Sequence, residues 1–321
     1  MAAYGQQLCA TKIWDTGEMS MEENRVAAVV VTYNRLTLLQ KCIESLRTQT
    51  VPCDILVVNN HSTDGTGDWL EAQQEEGHLM VHDTGANIGG AGGFNYGMRW
   101  AVEAGYEYLW VMDDDCLPEL IALEKLMEAD KVLGGNYGWL SSVVLWTDGT
   151  ECKMNRQKLK KSFYDYSRLM KYGLVQAEQA TFVSLLLKAE TVKQFGLPIK
   201  EYFIWGDDIE YTRRIAVRGK RPSFAVGQSQ VIHAMKENNG SSIATDRAER
   251  IDRYRYAFRN DAFTYRQEGT SGVWYYLAKC GLNCYRIIAN APNLKGRRLA
   301  VILKSIVEGA MFRPVIETFK G

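Results

Sequence analysis

The stretch LWVMDDDCLPE, residues 109–119, carries four mostly apolar residues that run directly into Asp113, Asp114 and Asp115. A continuous apolar run of this kind is typical of a strand buried on both faces, as in a parallel sheet. Three adjacent carboxylates repel one another, and burying an unpaired charge costs several kcal/mol or forces protonation. We therefore expect a positive charge beside the three aspartates, and a divalent cation supplies it most simply.

Strands of the same kind recur on the N-terminal side, and helical patterns separate them. The predicted strands lie in RVAAVVVTYNR, DILVVNN, LMVHD and YEYLWVM. A helix follows the first strand, a turn and a helix follow the second, and a glycine-rich turn and a helix follow the third. This alternation predicts an α/β fold with a doubly wound, mostly parallel sheet.

The second half of the chain mixes strands and helices. WLSSVVLW and TFVSLLLK predict strands, DDIEYTRRIAVRG predicts a helix closed by Gly219, and PSFAVG and SQVIHA predict two short strands. From Arg247 the pattern is helical almost to the end. We predict a polar lead-in over residues 1–24, an α/β domain over 25–245 and a C-terminal helical region over 246–321.

The composition excludes several classes of protein. The chain has 321 residues, of which 46% are apolar and 24% charged, and this balance is ordinary for a globular protein. The formal net charge is zero, so whole-chain electrostatics gives no reason to expect nucleic acid. Seven scattered cysteines without a CxxC pair favour reduced thiols. No secretory signal pattern and no apolar run near ~18 residues is present, so we expect a cytoplasmic protein.

The unusual polar and glycine residues fall where the predicted strands end. They are Thr32 to Arg35, Asn59-Asn60, Asn87 to Gly93 and Asp113 to Asp115. Ligand sites in open parallel sheets lie outside the carboxyl ends of the strands. The sequence therefore predicts one crevice that these four segments share.

The aspartates and the glycines each have a chemical and a structural interpretation. Asp113 and Asp115 are alternate residues, so an extended backbone would point both to one side, where they could hold a hard divalent cation. The alternative is an acidic turn that caps a helix near Pro118. The segment NIGGAGGFNYG could cradle phosphate, although it does not fit GxGxxG. Its alternative is close packing of a helix against the sheet.

A second acidic pair, Asp207-Asp208, stands at a predicted helix start after an aromatic-rich turn that contains Trp205. A helix start favours anions, and N-capping alone would explain one of the two acids. The other acid suggests a general base near a sugar-stacking surface. His233 ends an apolar strand, where a lone histidine is usually a satisfied core residue, and only its neighbours suggest a ligand role.

Five segments together resemble family 2 glycosyltransferases with the GT-A fold. They are VVTYNR, ILVVNNHSTDGT, NIGGAGGFNYG, WVMDDDCLPE and FIWGDDIEY, and they occur in the order and spacing of that family over roughly residues 25–235. The glycine-rich turn, the triple aspartate and the last segment look most like bacterial galactofuranosyltransferases, with rhamnosyltransferases next. The resemblance implies an inverting, metal-dependent transfer from a nucleotide sugar, with UDP-galactofuranose favoured and dTDP-rhamnose as the alternative.

The resemblance also implies a role for each matching residue. The nucleotide-sugar site would comprise Thr32, Tyr33, Asn34, Arg35, Asn60, Asn87, Gly90, Gly92, Gly93, Asp113 and Asp114. Asp113, Asp115 and His233 would hold Mn²⁺ or Mg²⁺. Asp208 would be the catalytic base, with Asp207 beside it. Galactofuranosyl members often carry Trp directly before the two acids, whereas this chain has Gly206 there and Trp205 one place earlier, as a candidate acceptor contact.

The C-terminal region leaves its partner open. Residues 270–321 contain eight Lys or Arg and two acids, interleaved with Trp, Tyr and Leu. This pattern favours helices on an anionic membrane surface, here the inner face of the cell membrane. A helical cap or a dimer contact would produce it equally well. The resemblance favours a glycan or lipid-linked glycan acceptor, in cell-surface polysaccharide synthesis.

Two other classes of protein remain as alternatives. A haloacid dehalogenase phosphatase also uses D-x-D after a strand, but it wants Thr or Val where this chain has Leu117. A sugar-nucleotide-binding protein without catalysis would not need the pair Asp207-Asp208.

Overall fold

The computed structural model describes residues 25–77, 79–162 and 164–319. The lead-in predicted for residues 1–24 lies outside these ranges. Within them the chain forms one large sheet with helices on both faces, followed by a group of C-terminal helices.

The sheet contains ten strands in the described part of the chain. They are β1 Val26–Thr32, β2 Asp54–Asn59, β3 Met80–Asp83, β4 Tyr108–Asp113, β5 Cys116–Pro118, β6 Leu140–Leu145, β7 Lys158–Leu159, β8 Leu174–Gln179, β9 Leu185–Lys188 and β10 Phe224–His233. Their order is β3-β2-β1-β4-β9-β6-β10-β8-β7, and β5 pairs with β10. Strands β3, β2, β1 and β4 are parallel, as are β6 and β10, while β9 runs antiparallel between β4 and β6. The predicted α/β class is confirmed.

Nine α-helices accompany these strands in the described ranges. They are α1 Leu36–Arg47, α2 Thr66–Glu75, α3 Gly89–Glu103, α4 Ala122–Leu133, α5 Ala189–Phe195, α6 Asp207–Arg213, α7 Tyr254–Arg266, α8 Gly269–Asn290 and α9 Lys295–Met311. Short 3-10 turns cover Tyr164–Tyr172, Lys200–Tyr202 and Ala248–Arg253.

Strand β1 explains why the sheet is covered on both faces. All seven of its residues are buried. Val26, Ala28 and Val30 belong to one apolar cluster, and the intervening residues 27, 29 and 31 belong to another on the opposite face. Because side chains alternate along a strand, a continuous Val/Ala run requires helices on both sides.

Two local predictions, a glycine-rich turn and a pair of short strands, were wrong. The glycine-rich turn is instead the beginning of α3, which starts at Gly89. The two short strands predicted around Gly227 are one strand, β10, whose register with β6 shifts between Val226 and Gln230. The intervening residues form an irregularity that the strand absorbs, which from the sequence looked like a break.

The predicted helix at residues 207–219 ends at Gly219, as expected, but it is not α-helical throughout. The α-helix stops at Arg213 and continues as a π-helical turn over Arg214–Arg218, and Gly219 has an ordinary negative φ. Glu210, fully buried, accepts hydrogen bonds from Arg214 and Arg218 in this segment. The wider π-helical turn accommodates the ion pairs that buried Glu210 forms with Arg214 and Arg218.

The C-terminal helices form a separate apolar cluster. Helix α7 contacts both α8 and α9, and its residues Tyr254, Phe258 and Ala262 pack with Cys280, Ile287 and Ile302. No helix in the described ranges is long and apolar enough to cross a membrane. The division of the chain at residues 245 and 246 stays a prediction.

Candidate active site

The triple aspartate forms a tight reversal of the chain. Strand β4 ends at Asp113, a turn holds Asp114 and Asp115, and β5 then runs antiparallel to β10. We predicted that an extended backbone would point Asp113 and Asp115 to the same side. That reason was wrong, because the backbone turns at Asp114 and Asp115. The turn brings the two carboxylates together instead.

Asp113, Asp115 and His233 lie close together. One ligand atom from each falls within 4.8 Å of the others. The Nε2 atom of His233, at the end of β10, is 2.9 Å from Oδ1 of Asp115. His233 reaches the acids because β5 pairs with the end of β10. Two carboxylates and one imidazole form a donor set that suits Mn²⁺ and can also take Mg²⁺.

Asn155 orients His233. The Nδ1 atom of His233 lies 2.7 Å from Asn155 Oδ1, which also accepts a hydrogen bond from the Cys152 thiol at 3.0 Å. An oxygen acceptor at Nδ1 favours a proton on that nitrogen and turns Nε2 toward the acids, where it would bind a cation once its own proton is displaced. Metal-binding histidines usually donate their second N–H in this way. The residues therefore fit a divalent ion.

The guanidinium group of Arg35 provides a positive charge beside the three aspartates. Its Nη1 atom lies 2.6 Å from Asp115 Oδ2 and 3.2 Å from Asp114 Oδ1. Asp114 is also bound by Thr32 Oγ1 at 2.7 Å and by the Tyr33 backbone N–H at 3.4 Å. Three of the four residues Thr32 to Arg35 thus hold the aspartate turn, while Asn34 accepts a hydrogen bond from Thr63 N–H.

The three aspartates differ in how readily they ionise. Burial raises the pKa of Asp113 to about 7, with the charge of Asp115 adding to it, and burial also raises the pKa of Asp114 to about 6. Burial alone would raise the pKa of Asp115, but the hydrogen bond and charge of His233 lower it. In turn the hydrogen bond that His233 donates to Asp115 overcomes the effect of burial and raises the pKa of His233 to about 10. The cluster is therefore poised to exchange protons for a cation.

The ends of β2 and β3 meet the same crevice. Asn60 donates a backbone hydrogen bond to the Thr32 carbonyl at 2.9 Å and a side-chain hydrogen bond to the Gly89 carbonyl at 3.1 Å. Asn87 Oδ1 accepts from the Gly89 N–H at 2.9 Å. The predicted convergence of four strand ends is thus seen in the hydrogen bonds.

The glycines divide between packing and open space. A Cβ added at Gly93 would lie 2.5 Å from Val31 Cγ1, and one at Gly92 would lie 2.9 Å from Ile88. Gly90 has open space where its Cβ would stand. The packing alternative therefore accounts for Gly92 and Gly93, and Gly90 with the exposed Asn87 is left accessible to a ligand.

Asp207 and Asp208 occupy the first turn of α6, as predicted. Burial raises the pKa of Asp207 well above its usual range, and the charges of Asp208 and Asp113 add to this. Asp207 therefore lies within electrostatic reach of the metal cluster. Burial raises the pKa of Asp208 to about 6, and Asp261 of α7 contributes. At neutral pH these shifts leave Asp208 the more ionised of the two.

The segment before these acids is strained and is held by the C-terminal helices. Phe203 and Trp205 both have a φ of +64°, which non-glycine residues rarely adopt. Asn260 of α7 is fully buried and donates to the carbonyls of Tyr202 at 3.1 Å, Ile204 at 3.3 Å and Trp205 at 2.8 Å. Asn260 therefore fixes the backbone that leads into Asp207.

The Trp205 ring packs on the C-terminal region. Its centroid is 5.0 Å from that of Tyr254, and the Arg250 guanidinium lies 5.7 Å above it. Phe203 similarly lies 5.2 Å from Tyr256. The aromatic turn thus joins the acids to the helices, and an acceptor role for Trp205 stays a prediction.

The sequence did not point to Asn155, Cys152 or Asn260 as site residues. Each is distant in the chain from the group it contacts, and the sequence around it gave no indication of that group. Only the folded arrangement brings them to His233 and to the segment before Asp207.

Comparisons with known proteins agree with this arrangement. Residues 27–167 match the model of the family described as Glycosyl transferase family 2. Undecaprenyl-phosphate mannosyltransferase of Micrococcus luteus is 30% identical over 204 residues, which are 61% of this chain and 80% of that protein. Galactofuranosyltransferase GlfT1 of Mycolicibacterium smegmatis is 26% identical over 275 residues, 78% of this chain and 89% of that protein.

A solved structure shares the fold. The mannosyltransferase PcManGT from Pyrobaculum calidifontis, solved with GDP-Man and Mn²⁺, has a TM-score of 0.52 and 17% sequence identity. The likeness covers 94% of this chain and 90% of that chain. It supports the GT-A architecture for the described residues.

Proposed function

Because this chain belongs to glycosyl transferase family 2, we propose that it transfers galactofuranose from UDP-galactofuranose to a glycan or lipid-linked glycan. The transfer is metal-dependent, inverts the anomeric configuration and serves the synthesis of a cell-surface polysaccharide. The observation that carries this proposal is the cluster of Asp113, Asp115 and His233, of which Asp113 is near enough to Asp207 at the start of α6 to raise its pKa. The galactofuranosyl donor is favoured because the GlfT1 relative matches 78% of this chain, against 61% for the mannosyltransferase.

The donor would bind along the carboxyl ends of β1 to β4. Thr32, Tyr33, Asn34, Arg35 and Asn60 would line the nucleotide pocket. Asn87 and Gly90 would lie along the ribose, diphosphate or sugar, Gly92 and Gly93 would let α3 pack beneath them, and Asp114 would touch the nucleotide or sugar. A divalent ion held by Asp113, Asp115 and His233 would neutralise the charge that develops on the leaving diphosphate.

Asp208 is the base in this proposal. It takes the proton of an acceptor hydroxyl while that oxygen attacks the anomeric carbon and the bond to the diphosphate oxygen breaks. A pKa of about 6 leaves Asp208 largely ionised at neutral pH and close to the value of an effective general base. Burial raises the pKa of Asp207, beside it, well above its usual range, so Asp207 is the weaker candidate for the base. One displacement inverts the configuration, and positioning and electrostatics lower most of the barrier.

A mannosyl transfer from GDP-mannose is the second candidate. It is favoured by the 30% identity to the M. luteus mannosyltransferase and by the fold shared with a mannosyltransferase solved with GDP-Man. Rhamnosyl transfer from dTDP-rhamnose remains an alternative from the sequence. The phosphatase and the non-catalytic alternatives are set aside, since the chain belongs to a family of transferases.

The test is nucleotide release by the purified full-length chain. UDP-galactofuranose and GDP-mannose are offered separately with Mn²⁺, first with water as the only acceptor and then with alkyl glycosides. We expect UDP release that the glycosides stimulate and that Asp208→Asn abolishes. Stimulated release of GDP alone would replace the donor with GDP-mannose. Release of neither nucleotide would contradict the proposal.

A further inference from the structure

The outward side of α8 is apolar along its whole length. The buried residues of this helix, Gly272, Tyr276, Cys280 and Ile287, recur at helical spacing and face α7. The opposite side carries Trp274, Leu277, Leu282, Tyr285 and Ile288, of which Trp274 is 72% exposed and Tyr285 67% exposed. Soluble surfaces rarely leave a row of large apolar side chains in water, so this side is suited to a partner.

The outward side of α9 has the same character. Leu303, Val307 and Met311 stand four residues apart on one side of the helix, and each is at least 60% exposed. Leu294, in the connection between the two helices, is also exposed. We call the exposed apolar residues of α8, α9 and this connection the outer face.

The charged residues of α8, α9 and their connection are predominantly positive. Residues 269–311 contain six Lys or Arg and one acid, Glu308. Glu308 is bound to Arg255 of α7 at 2.6 Å. Arg286 and Lys304 are exposed and form no ion pair within the described part of the chain. The outer face therefore combines large apolar and aromatic side chains with unneutralised cations.

We propose that the outer face docks the protein on the surface of a bilayer that contains anionic lipids. Trp, Tyr, Leu and Ile side chains insert at the headgroup boundary, and Arg286 and Lys304 meet lipid phosphates. A second copy of this chain fits less well, because a two-fold interface would place the same unneutralised cations opposite one another. The proposal does not depend on which sugar is transferred.

The outer face is also connected to the catalytic centre. Lys279, on the inward side of α8, donates to Asp261 at 2.7 Å, and Asp261 is near enough to Asp208 to raise its pKa. The bilayer would lie on the far side of α8, a helix of ~10 Å diameter, from this Lys279–Asp261 pair. A lipid-linked acceptor could then present its sugar to Asp208 while its lipid stays in the bilayer.

The experiment is vesicle flotation with the full-length protein. Vesicles of phosphatidylcholine alone are compared with vesicles that also contain phosphatidylglycerol, at low and at high salt. We expect binding to the anionic vesicles that weakens as salt is raised, since salt screens the cations.

Two variants separate the apolar and the charged contributions. The triple variant Trp274→Gln/Tyr285→Ser/Ile288→Ser should lower binding at least about tenfold, because it removes the inserted side chains. The double variant Arg286→Gln/Lys304→Gln should lower binding to anionic vesicles roughly thirtyfold and abolish the preference for them. The matched control is Leu120→Ser/Met170→Ser, which alters similarly exposed apolar residues of the α/β domain and should bind like the wild type.

Three outcomes would overturn the proposal. They are no binding of the wild type to anionic vesicles, equal binding to both kinds of vesicle, and undiminished binding by the triple variant. Sedimentation analysis of the same proteins tests whether a second copy of this chain binds the outer face instead. A dimer that the triple variant dissociates, without vesicle binding, would assign the outer face to a second copy.

Discussion

The surroundings of two neighbouring carboxylates at the start of α6 raise their pKa values to different extents. Asp207 is buried near Asp208 and Asp113, so its pKa lies well above the usual range, whereas that of Asp208 is about 6. Paired acids whose environments separate their pKa values are a recurrent arrangement in acid–base catalysis. The lower of the two pKa values therefore assigns the proton-accepting role to Asp208.

The first prediction concerns these two acids. Asp208→Asn should lower kcat by about 10² to 10⁴, because general-base catalysis contributes roughly that factor, while UDP affinity stays within a few-fold. Asp207→Asn is the matched control and should lose less, since Asn resembles a protonated carboxyl. Steady-state kinetics and calorimetry measure the two quantities. Equal losses in both variants would contradict the assignment.

The same assignment predicts the pH dependence of the wild type. Asp208 accepts a proton only when ionised, so kcat/KM should be highest above its pKa and fall as the pH drops through about 6. A profile that rises toward lower pH across this range would show that another group accepts the proton.

The second prediction concerns Asn155. Asn155→Ala removes the acceptor for His233 Nδ1 and should weaken Mn²⁺ binding by about 10- to 100-fold, as outer-shell changes typically do. Cys152→Ser keeps a donor to Asn155 and is the control. Calorimetric titration of Mn²⁺ in the presence of UDP gives the affinity, and thermal unfolding verifies that each variant is folded. An unchanged Mn²⁺ affinity in Asn155→Ala would show that Asn155 does not position His233 for the metal.

At the scale of elements, the start of α3 and the segment before α6 are built against each other. Gly89 has a φ of +76°, and a Cβ there would stand 2.1 Å from the Phe203 carbonyl oxygen. The same carbonyl accepts a hydrogen bond from the Ala91 N–H at 3.2 Å. Glycine at position 89 thus permits the close contact between the start of α3 and Phe203, in the segment that leads into Asp207 and Asp208.

The third prediction uses adjacent glycines as a matched pair. Gly89→Ala should destabilise the protein, because both the left-handed backbone and the contact with Phe203 oppose a side chain. Gly90→Ala meets open space at an ordinary φ and should unfold near the wild-type temperature. Thermal unfolding followed by circular dichroism compares them. Equal melting temperatures would mean that the contact with Phe203 is not needed.

The fourth prediction concerns the clamp from α7. Asn260→Ala removes the side-chain donor of the part-buried carbonyls of Ile204 and Trp205, at a cost of up to about 1–3 kcal/mol for each unsatisfied group, while the Tyr202 carbonyl keeps the Ile204 N–H. We expect kcat to fall with UDP affinity nearly unchanged, because the strained segment before Asp207 relaxes. Asn283→Ala, which loses one bond to Lys279 on α8, is the control. Wild-type kcat in Asn260→Ala would show that the segment keeps its form unaided.

Local patterns predicted the elements better than their junctions. The Val/Ala run of β1 and the apolar run of β4 require burial on both faces, so their strands were predictable. The turn at Asp114-Asp115 and the continuous β10 depend on the pairing of β10 with β5 and β6, which joins residues more than 80 positions apart. Asn155 and Asn260 contact residues 78 and 58 positions away, and they were therefore not recognised as site residues.

At the level of the whole molecule, the C-terminal helices pack against the segment of the sheet-containing part that leads into Asp207. The resemblance brought Asp113, Asp115 and His233 together on motif order alone, and the structure places their ligand atoms within 4.8 Å. Their role as metal ligands remains a prediction. Motif order could not give the contacts of α7 with the segment before Asp207, nor the outer face, since both depend on how the C-terminal helices pack.

The central claim is that the aspartate turn holds a cation on a nucleotide sugar, and calorimetry tests it most directly. UDP, dTDP and GDP are titrated into the full-length protein with and without Mn²⁺. The series is repeated with Asp115→Ala and with Glu71→Ala, an exposed acid on α2, as the control. We predict that UDP binds tightest, that Mn²⁺ strengthens its binding, and that only Asp115→Ala abolishes the effect of Mn²⁺. UDP binding that is the same with and without Mn²⁺, or binding of none of the three nucleotides, would contradict the account.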